Sequence, residues 1–262
     1  MFGVILAAGM AKRLRPLTDT KPKCLLKVGE RTLLERTVDA MLQAGIREFV
    51  VVTGYRAEQI RHFLNDYLSS IPHHPSPTTQ HPSPITQHLS PTVTFLHNAD
   101  YEHNNNIYSL WMAGQVVSGQ EFLLMDSDIL CDPAAVVRIA SEAESALAVN
   151  RHELGDEEMK VCVDACGRIT EISKTCRPED AIGESVGIEK ITAEYSTALY
   201  RELNLMIERE GLINIFYERA FERLIPQGHT FRVVDTTSYF SYELDTPEDF
   251  ERAQQLMPRE LY

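Results

Sequence analysis

A glycine-bearing, cationic segment follows the first apolar run of the chain. That run, residues 2–7, leads into LAAGMAKR at residues 6–13, and Lys23 stands a little further on. Small residues directly after a strand let backbone N–H groups come close to a ligand, and Arg13 and Lys23 can add charge-assisted hydrogen bonds. The segment therefore predicts a loop that holds phosphate groups.

Two carboxylates follow a second apolar run. Asp126 and Asp128 come directly after residues 122–125, at the carboxyl end of a predicted central strand. Ligands of open α/β sheets bind at that end, and oxygen ligands suit Mg²⁺ held together with triphosphate oxygens. The pair predicts a magnesium site. The alternative is a polar strand end ahead of Asp132, which would cap the next helix.

The loop motif resembles the signature of the nucleotidyltransferase family that includes the sugar-1-phosphate nucleotidyltransferases. The family's pattern is LAAG, any residue, G, then T or S and RL, with a Pro-Lys pair downstream that Pro22 and Lys23 match. Ala11 replaces the second glycine and Lys12 replaces the hydroxyl residue. The resemblance implies a Rossmann-like three-layer α/β sandwich and transfer of a nucleoside monophosphate from an NTP to a phosphorylated acceptor.

The same resemblance implies roles for five catalytic residues. Asp128 and Asp245, which precedes the last helix, would bind Mg²⁺. Arg13 would stabilise the leaving pyrophosphate, Lys23 the α-phosphate, and Lys174 the attacking phosphate. No general base is needed, because a phosphate with its second pKa near 6 is largely ionised at neutral pH. The alternatives are that Asp245 only belongs to a helix cap and that Lys174 is a surface lysine.

The segment NNNIYSLW at residues 104–111 narrows the subgroup. It resembles the N-N-x-Y-S-L segment of bacterial phosphocholine cytidylyltransferases and their relatives, which implies CTP as the donor. Asparagine amides can both donate to and accept from a base edge or a ribose. The alternative is that the asparagines only cap the following helix. The full set of predicted nucleotide-binding residues is Leu6, Ala7, Ala8, Gly9, Met10, Ala11, Arg13, Lys23, Gly54, Tyr55, Asn105, Asn106, Ser109 and Asp126.

Three residues of the second half could face a cationic acceptor such as phosphocholine. Glu184 and Glu218 offer negative charge, and Tyr217 offers an aromatic ring for a cation–π contact. With Lys174 they make up the predicted acceptor-binding set. Either glutamate could equally be a solvated helix or loop residue.

The elements that must position these residues alternate in the first 150 residues between short apolar runs and amphipathic stretches. This is the pattern of βαβ units on a mostly parallel sheet. Thr32 with Glu35 predicts a capping box at the start of one helix. Thr246, Pro247 and Asp249 predict the start of the last helix.

After residue 150 the pattern changes. Residues 159–163 and 168–173 read as a hairpin, which predicts a mixed sheet or a small acceptor lobe. Further helices are predicted over residues 193–210 and 215–224. The chain is thus predicted to be a single domain, with a nucleotide-binding half at 1–150 and an acceptor-binding half at 151–262. Residues 69–91 carry a seven-residue repeat rich in Pro, Ser and Thr and predict a flexible surface loop. The histidines of the repeat could chelate a metal, but a tolerated insertion is the simpler interpretation.

Composition excludes several partners. The net charge of −13 argues against nucleic acid, while the first 36 residues hold eight Lys/Arg against three Asp/Glu, which suits a small polyanion. The opening apolar run is too short for a membrane span. Five scattered cysteines are expected to be free thiols in a reducing cytoplasm. A homo-oligomer is compatible with the sequence.

Four alternatives stand beside a phosphocholine cytidylyltransferase. Within the same chemistry, the rivals are a sugar-1-phosphate nucleotidyltransferase that uses UTP or dTTP, and a cytidylyltransferase for a phosphonate or an inositol phosphate. A catalytically silent binding module would not need all five catalytic residues. A NAD-dependent oxidoreductase would need G-x-G-x-x-G after the first strand, and the chain does not supply it.

Overall fold

The computed structural model describes residues 1–71 and 90–261. The greater part of the predicted repeat loop, with all four of its histidines, lies outside these ranges. In the described part, no helix combines the length and the apolar composition that a membrane crossing requires.

Strands and helices alternate along the chain much as the sequence predicts. The strands are β1 (Phe2–Ala7), β2 (Lys27–Val28), β3 (Arg31–Thr32), β4 (Glu48–Thr53), β5 (Thr92–His97), β6 (Phe122–Asp126), β7 (Ile129–Cys131), β8 (Ala146–Asn150), β9 (Lys160–Val163), β10 (Ile169–Ser173), β11 (Ala181–Ile191), β12 (Arg232–Asp235) and β13 (Ser241–Glu243). The α-helices are α1 (Leu33–Gln43), α2 (Ala57–Ser70), α3 (Asn106–Val117), α4 (Pro133–Ala140), α5 (Ala193–Asn204), α6 (Glu218–Leu224) and α7 (Pro247–Leu256).

One mixed nine-stranded sheet organises the molecule. Its main path runs β10-β9-β11-β6-β1-β4-β5, and β8 pairs with both β11 and β12. Strands β6, β1, β4 and β5 are parallel, whereas β11 is antiparallel to β6, β8 and β9. The carboxyl ends of the parallel strands therefore meet at one edge, where the sequence places the loop after β1 and the carboxylates after β6.

Helices cover both faces of this sheet. Alternate side chains of β1 point to opposite faces, so that Val4 and Leu6 pack in one core and Ile5 and Ala7 in the other. The first core includes α3, α5 and α6, and the second includes α1, α2 and α4. The predicted α/β three-layer sandwich is confirmed.

Both predicted helix starts are confirmed by their hydrogen bonds. Thr32 and Glu35 form a reciprocal capping box at α1, and Thr246 and Asp249 form another at α7. The predicted helix over 193–210 changes character, because α5 ends at Asn204 and a π-helical turn, Leu205–Arg209, follows. The second predicted helix begins only at Glu218.

The predicted hairpin forms as β9 and β10, but it is not set apart from the sheet. Strand β9 pairs with β11, so the hairpin extends the main sheet at its edge. The expectation of free thiols is wrong for two cysteines: Cys162 on β9 and Cys176 after β10 form a disulfide. Cys24 and Cys131 are buried free thiols, and Cys166 is an exposed one.

Candidate nucleotidyltransferase site

A cleft of about 710 Å³ opens at the carboxyl edge of the parallel strands. Its size lies within the range of small-ligand sites. We name the part that is lined by the loop after β1 and by the asparagines before α3 the nucleotide end. We name the part that is lined by the segments around Lys174, Glu184 and Glu218 the acceptor end.

The loop after β1 is held in place by backbone contacts. Tyr55 donates its N–H to the carbonyl of Ala8 at 3.0 Å, and the Thr18 hydroxyl donates to the carbonyl of Ala11 at 3.0 Å. Ala11 adopts a left-handed conformation with φ of 46°. A Cβ on Gly54 would lie 2.6 Å from the Ala8 carbonyl oxygen, so only glycine lets β4 approach this closely.

Two of the predicted nucleotide-binding residues make these contacts with the loop. Gly54 and Tyr55 support the loop from behind, and the Tyr55 hydroxyl donates to the Thr18 carbonyl at 2.7 Å. Neither residue lines the cleft, and nor does Met10. Tyr101 lines it instead. The other predicted nucleotide-binding residues, from Leu6 to Asp126, all lie along the cleft.

Three carboxylates converge beside this loop. Oxygen atoms of Asp128, Glu243 and Asp245 lie within 4.8 Å of one another. Burial, followed by the charges of Asp128 and Asp245, raises the pKa of Glu243 to about 7. Sequence reasoning missed Glu243, although the alternation of a strand places it on the same side as Asp245, two residues on.

Two cations already pair with these acids. The Lys23 ammonium lies 2.9 Å from Asp128 Oδ2 and 2.8 Å from Asp245 Oδ1, and Arg13 donates to Asp245 Oδ2. Burial alone would lower the pKa of Lys23, but the two aspartates raise it above its ordinary value. Four of the five predicted catalytic residues are thus brought together.

The asparagines before α3 form a connected wall. Asn98 donates to the Asn104 side chain at 2.8 Å, and Asn104 donates to the Asp100 carbonyl at 2.8 Å. Asn105 caps α3, as the alternative interpretation held, and it also lines the cleft. Asn106 accepts the Tyr217 N–H at 3.0 Å and so joins this wall to the acceptor end.

Lys174 reaches the acceptor end from the segment after β10. Its ammonium lies 4.9 Å from the centre of the Phe216 ring and 3.8 Å from Glu157. The predicted aromatic residue at this end needs correction. Tyr217 is completely buried, with its hydroxyl donating to Asp126 at 3.1 Å, whereas its neighbour Phe216 is exposed and lines the cleft.

Three buried acids, which we name the floor, lie along or next to the cleft: Asp126 and Glu218 line it, and Glu189 is close enough to both for their charges to affect its pKa. Burial raises the pKa of Asp126 and Glu189 well above the ordinary range and that of Glu218 to about 7. Within the described residues, Glu218 Oε2 and both Glu189 carboxylate oxygens have no hydrogen-bond partner at normal geometry. These carboxyls therefore hold a proton more readily than exposed carboxyls do, and a bound cation beside Glu218 would favour its ionised form.

Fold and site together define a protein of the nucleotidyltransferase class: a glycine loop, carboxylates and cations meet at the carboxyl ends of parallel strands. The family model described as the MobA-like NTP transferase domain matches residues 3–171, and the chain belongs to this family.

Known proteins of similar sequence act on different acceptors. The chain is 25% identical to CMP-5'-(3-aminopropyl)phosphonate synthase of Streptomyces rubellomurinus over 95% of its length, but it spans only 38% of that relative. It is 23% identical to CTP:phosphoglutamine cytidylyltransferase of Campylobacter jejuni, over 96% of this chain and 98% of that one.

A solved structure shows the same fold. CTP:phosphocholine cytidylyltransferase from Streptococcus pneumoniae superposes with a TM-score of 0.77, covering 98% of this chain and 99% of that one at 18% identity. The predicted nucleotidyltransferase family and its likeness to the phosphocholine cytidylyltransferases are confirmed.

Proposed function

We propose that this chain is a cytidylyltransferase that transfers CMP from CTP to a small phosphorylated acceptor and releases pyrophosphate. One observation carries the proposal: Lys23, Asp128 and Asp245 meet beside the glycine loop, and Lys174 lines the same cleft. Two phosphorylated reactants can therefore bind with their phosphates facing each other.

The carboxylate cluster fits Mg²⁺. Asp128 and Asp245, with Glu243 beside them, offer the oxygen donors that Mg²⁺ prefers. Bound there, the ion would neutralise phosphate charge and so favour attack at phosphorus.

The protein's own residues then bind and orient the reactants. Arg13 and Lys23 hold the phosphates of the nucleotide, and Lys174 holds the attacking phosphate of the acceptor. An acceptor oxygen forms a bond to the α-phosphorus as the bond from that phosphorus to pyrophosphate breaks. Catalysis arises from charge neutralisation and positioning, because an ionised phosphate needs no base.

An amine-bearing acceptor suits the acceptor end best. The exposed Phe216 ring and the buried Glu218 lie near Lys174, so a short aminoalkyl phosphate or phosphonate could place its two charges on opposite partners. Two relatives are named for an aminopropylphosphonate and for phosphoglutamine, and the structural neighbour for phosphocholine. These names support the class of acceptor.

A matrix of substrates tests the proposal. Each of CTP, UTP, dTTP, ATP and GTP is incubated with Mg²⁺ and with phosphocholine, 2-aminoethylphosphonate, inositol phosphate or glucose 1-phosphate, and pyrophosphate release is measured. We expect turnover with CTP and an amine-bearing acceptor. Turnover only with glucose 1-phosphate and UTP or dTTP would establish the sugar-1-phosphate rival, and no turnover with any pair would favour a silent binding module.

A further inference from the structure

A histidine that the sequence interpretation did not single out lies in the acceptor end of the cleft. His152 follows β8 and lines the cleft together with Glu184 of β11. Its Nε2 atom lies 2.8 Å from Glu184 Oε2, and its Nδ1 atom lies 2.8 Å from the Glu153 carbonyl oxygen. A carbonyl only accepts, so Nδ1 carries a proton, and Nε2 faces a carboxylate that a protonated ring can satisfy.

The charge of Glu184 depends on this contact. Burial raises the pKa of Glu184, and the hydrogen bond to His152 opposes that rise and so favours the ionised carboxylate. Partial burial alone would lower the pKa of His152, but the hydrogen bond to Glu184 raises it above 6.5. The hydrogen bond to Glu184 thus favours the cationic form of the ring.

The charges around the pair are mixed. They are the carboxylates of Glu158 before β9 and Glu243 of β13, the Lys174 ammonium after β10 with its neighbour Glu157, and Arg151, which pairs with Asp235 of β12 at 3.0 Å. Lys174 is the cation that we propose binds the acceptor phosphate, and it lies close enough to Glu184 to lower the pKa of that carboxyl. An unpaired Glu184 would compete with that phosphate for Lys174.

We propose that His152 determines acceptor affinity by neutralising Glu184, which leaves Lys174 free for the acceptor phosphate and Glu218 as the carboxylate for the acceptor's cationic group. This inference rests on the proposed function. It gives different roles to Glu184 and Glu218, which the sequence alone did not distinguish. Glu184 is already paired, whereas one oxygen of Glu218 has no partner among the described residues. His152 is a positioning residue that acts through Glu184.

The first test needs no activity. The imidazole of His152 is titrated by NMR in the wild-type protein, with its signal assigned by its loss in His152→Gln. We expect a pKa above 6.5 in the wild type and a lower value in Glu184→Gln. An unchanged pKa in Glu184→Gln would show that the pair does not form in solution and would overturn the inference.

The second test measures KM for the acceptor against pH in the wild type, His152→Gln and His62→Gln. His62 is the matched control, because it faces Asp66 at 3.3 Å on the exposed face of α2 and does not line the cleft. We expect KM for phosphocholine to rise roughly two- to fivefold as His152 loses its proton, an effect typical of one partly exposed charge pair. His152→Gln should show the raised KM throughout, the wild type should approach that value at high pH, and KM for CTP should be unchanged in both.

The outcomes separate the two proposals. If His152→Gln and the wild type turn over an acceptor with the same dependence of KM on pH, this inference is overturned and the proposed function stands. The same holds if KM for the acceptor falls as His152 loses its proton. If no phosphorylated acceptor is turned over by any variant, the proposed function fails and the inference fails with it.

Discussion

The two ends of the cleft differ in the chemical groups that form them. The nucleotide end consists of a backbone loop pinned by β4 and of cations already paired with carboxylates. The acceptor end consists of side chains on the hairpin, on β11 and before α6, several of which have pKa values raised by burial. The difference indicates that the nucleotide is recognised by a fixed shape, and the acceptor by charges that pH and substitution can change.

The largest effect on turnover is expected from the two aspartates beside the glycine loop. Asp128→Asn or Asp245→Asn should lower kcat about a hundred- to a thousandfold, because losing one preorganised electrostatic contact costs about 2.7–4 kcal/mol. Pyrophosphate release at saturating CTP and Mg²⁺ measures the loss, and Asp66→Asn on exposed α2 is the control. Near-normal turnover in either variant would remove the aspartates from the mechanism.

The second prediction concerns pH and the floor of the acceptor end. Glu218 has a pKa of about 7 when folded and 4.5 as its ordinary value, so the folded protein retains a proton that the unfolded chain has lost between these pH values. The free energy of unfolding should therefore fall as pH rises through this window. Glu218→Gln should remove that part of the slope and stabilise the protein above pH 7 by up to about 3 kcal/mol.

Urea unfolding at pH 5 and pH 8 measures this slope in the wild type, in Glu218→Gln and in Glu251→Gln, an exposed control on α7. Other buried acids add to the wild-type slope, so the difference between variants carries the test. Equal slopes in the wild type and in Glu218→Gln would show that this floor does not titrate as described.

The third prediction isolates the acceptor. Lys174→Ala should raise KM for the acceptor about ten- to a hundredfold, because a hydrogen bond to a charged group contributes about 1.5–3 kcal/mol. KM for CTP should stay constant if the two ends are independent. Lys27→Ala, at an exposed lysine of β2, is the control. Equal changes in both KM values would contradict the division of the cleft.

The smallest effects are expected from two glycines of the nucleotide end, one of which matters for stability and the other for CTP binding. Gly54→Ala should lower the free energy of unfolding by about 1–3 kcal/mol, because its Cβ would overlap the Ala8 carbonyl and the Tyr101 side chain. A Cβ on Gly9 meets no atom within 4 Å, yet Gly9 lines the cleft. Gly9→Ala should therefore keep its stability and raise KM for CTP. Urea unfolding and CTP kinetics distinguish the two variants.

The nucleotide end could be predicted from the sequence because its signals are local. The glycine loop, Asp128 and the capping box beside Asp245 each stand next to a well-marked strand or helix end, and the parallel sheet brings them together. The same rule could have found His152, which follows the carboxyl end of β8. Since β8 and β6 are both antiparallel to β11, that end lies at the edge that holds Asp128.

The acceptor end was less predictable because it depends on β11. This strand contacts β6, β8 and β9 in turn, and no local pattern in its sequence reveals that long path. Which of two neighbouring aromatic residues faces the cleft was also decided by tertiary packing, since α6 starts just after Tyr217 and buries its ring. The disulfide likewise joins cysteines that only the fold brings together.

Gly54 fixes the distance between the loop after β1 and the segment that contains Tyr101. With no side chain between the Ala8 carbonyl and the ring of Tyr101, the loop and the segment that leads to the asparagines share one rigid corner. The distance from that loop to the asparagine wall is then set by the thickness of a bare main chain. In a relative that has the same glycine here, we expect the same distance between the loop that holds the phosphates and the asparagines beside the base, whatever its acceptor.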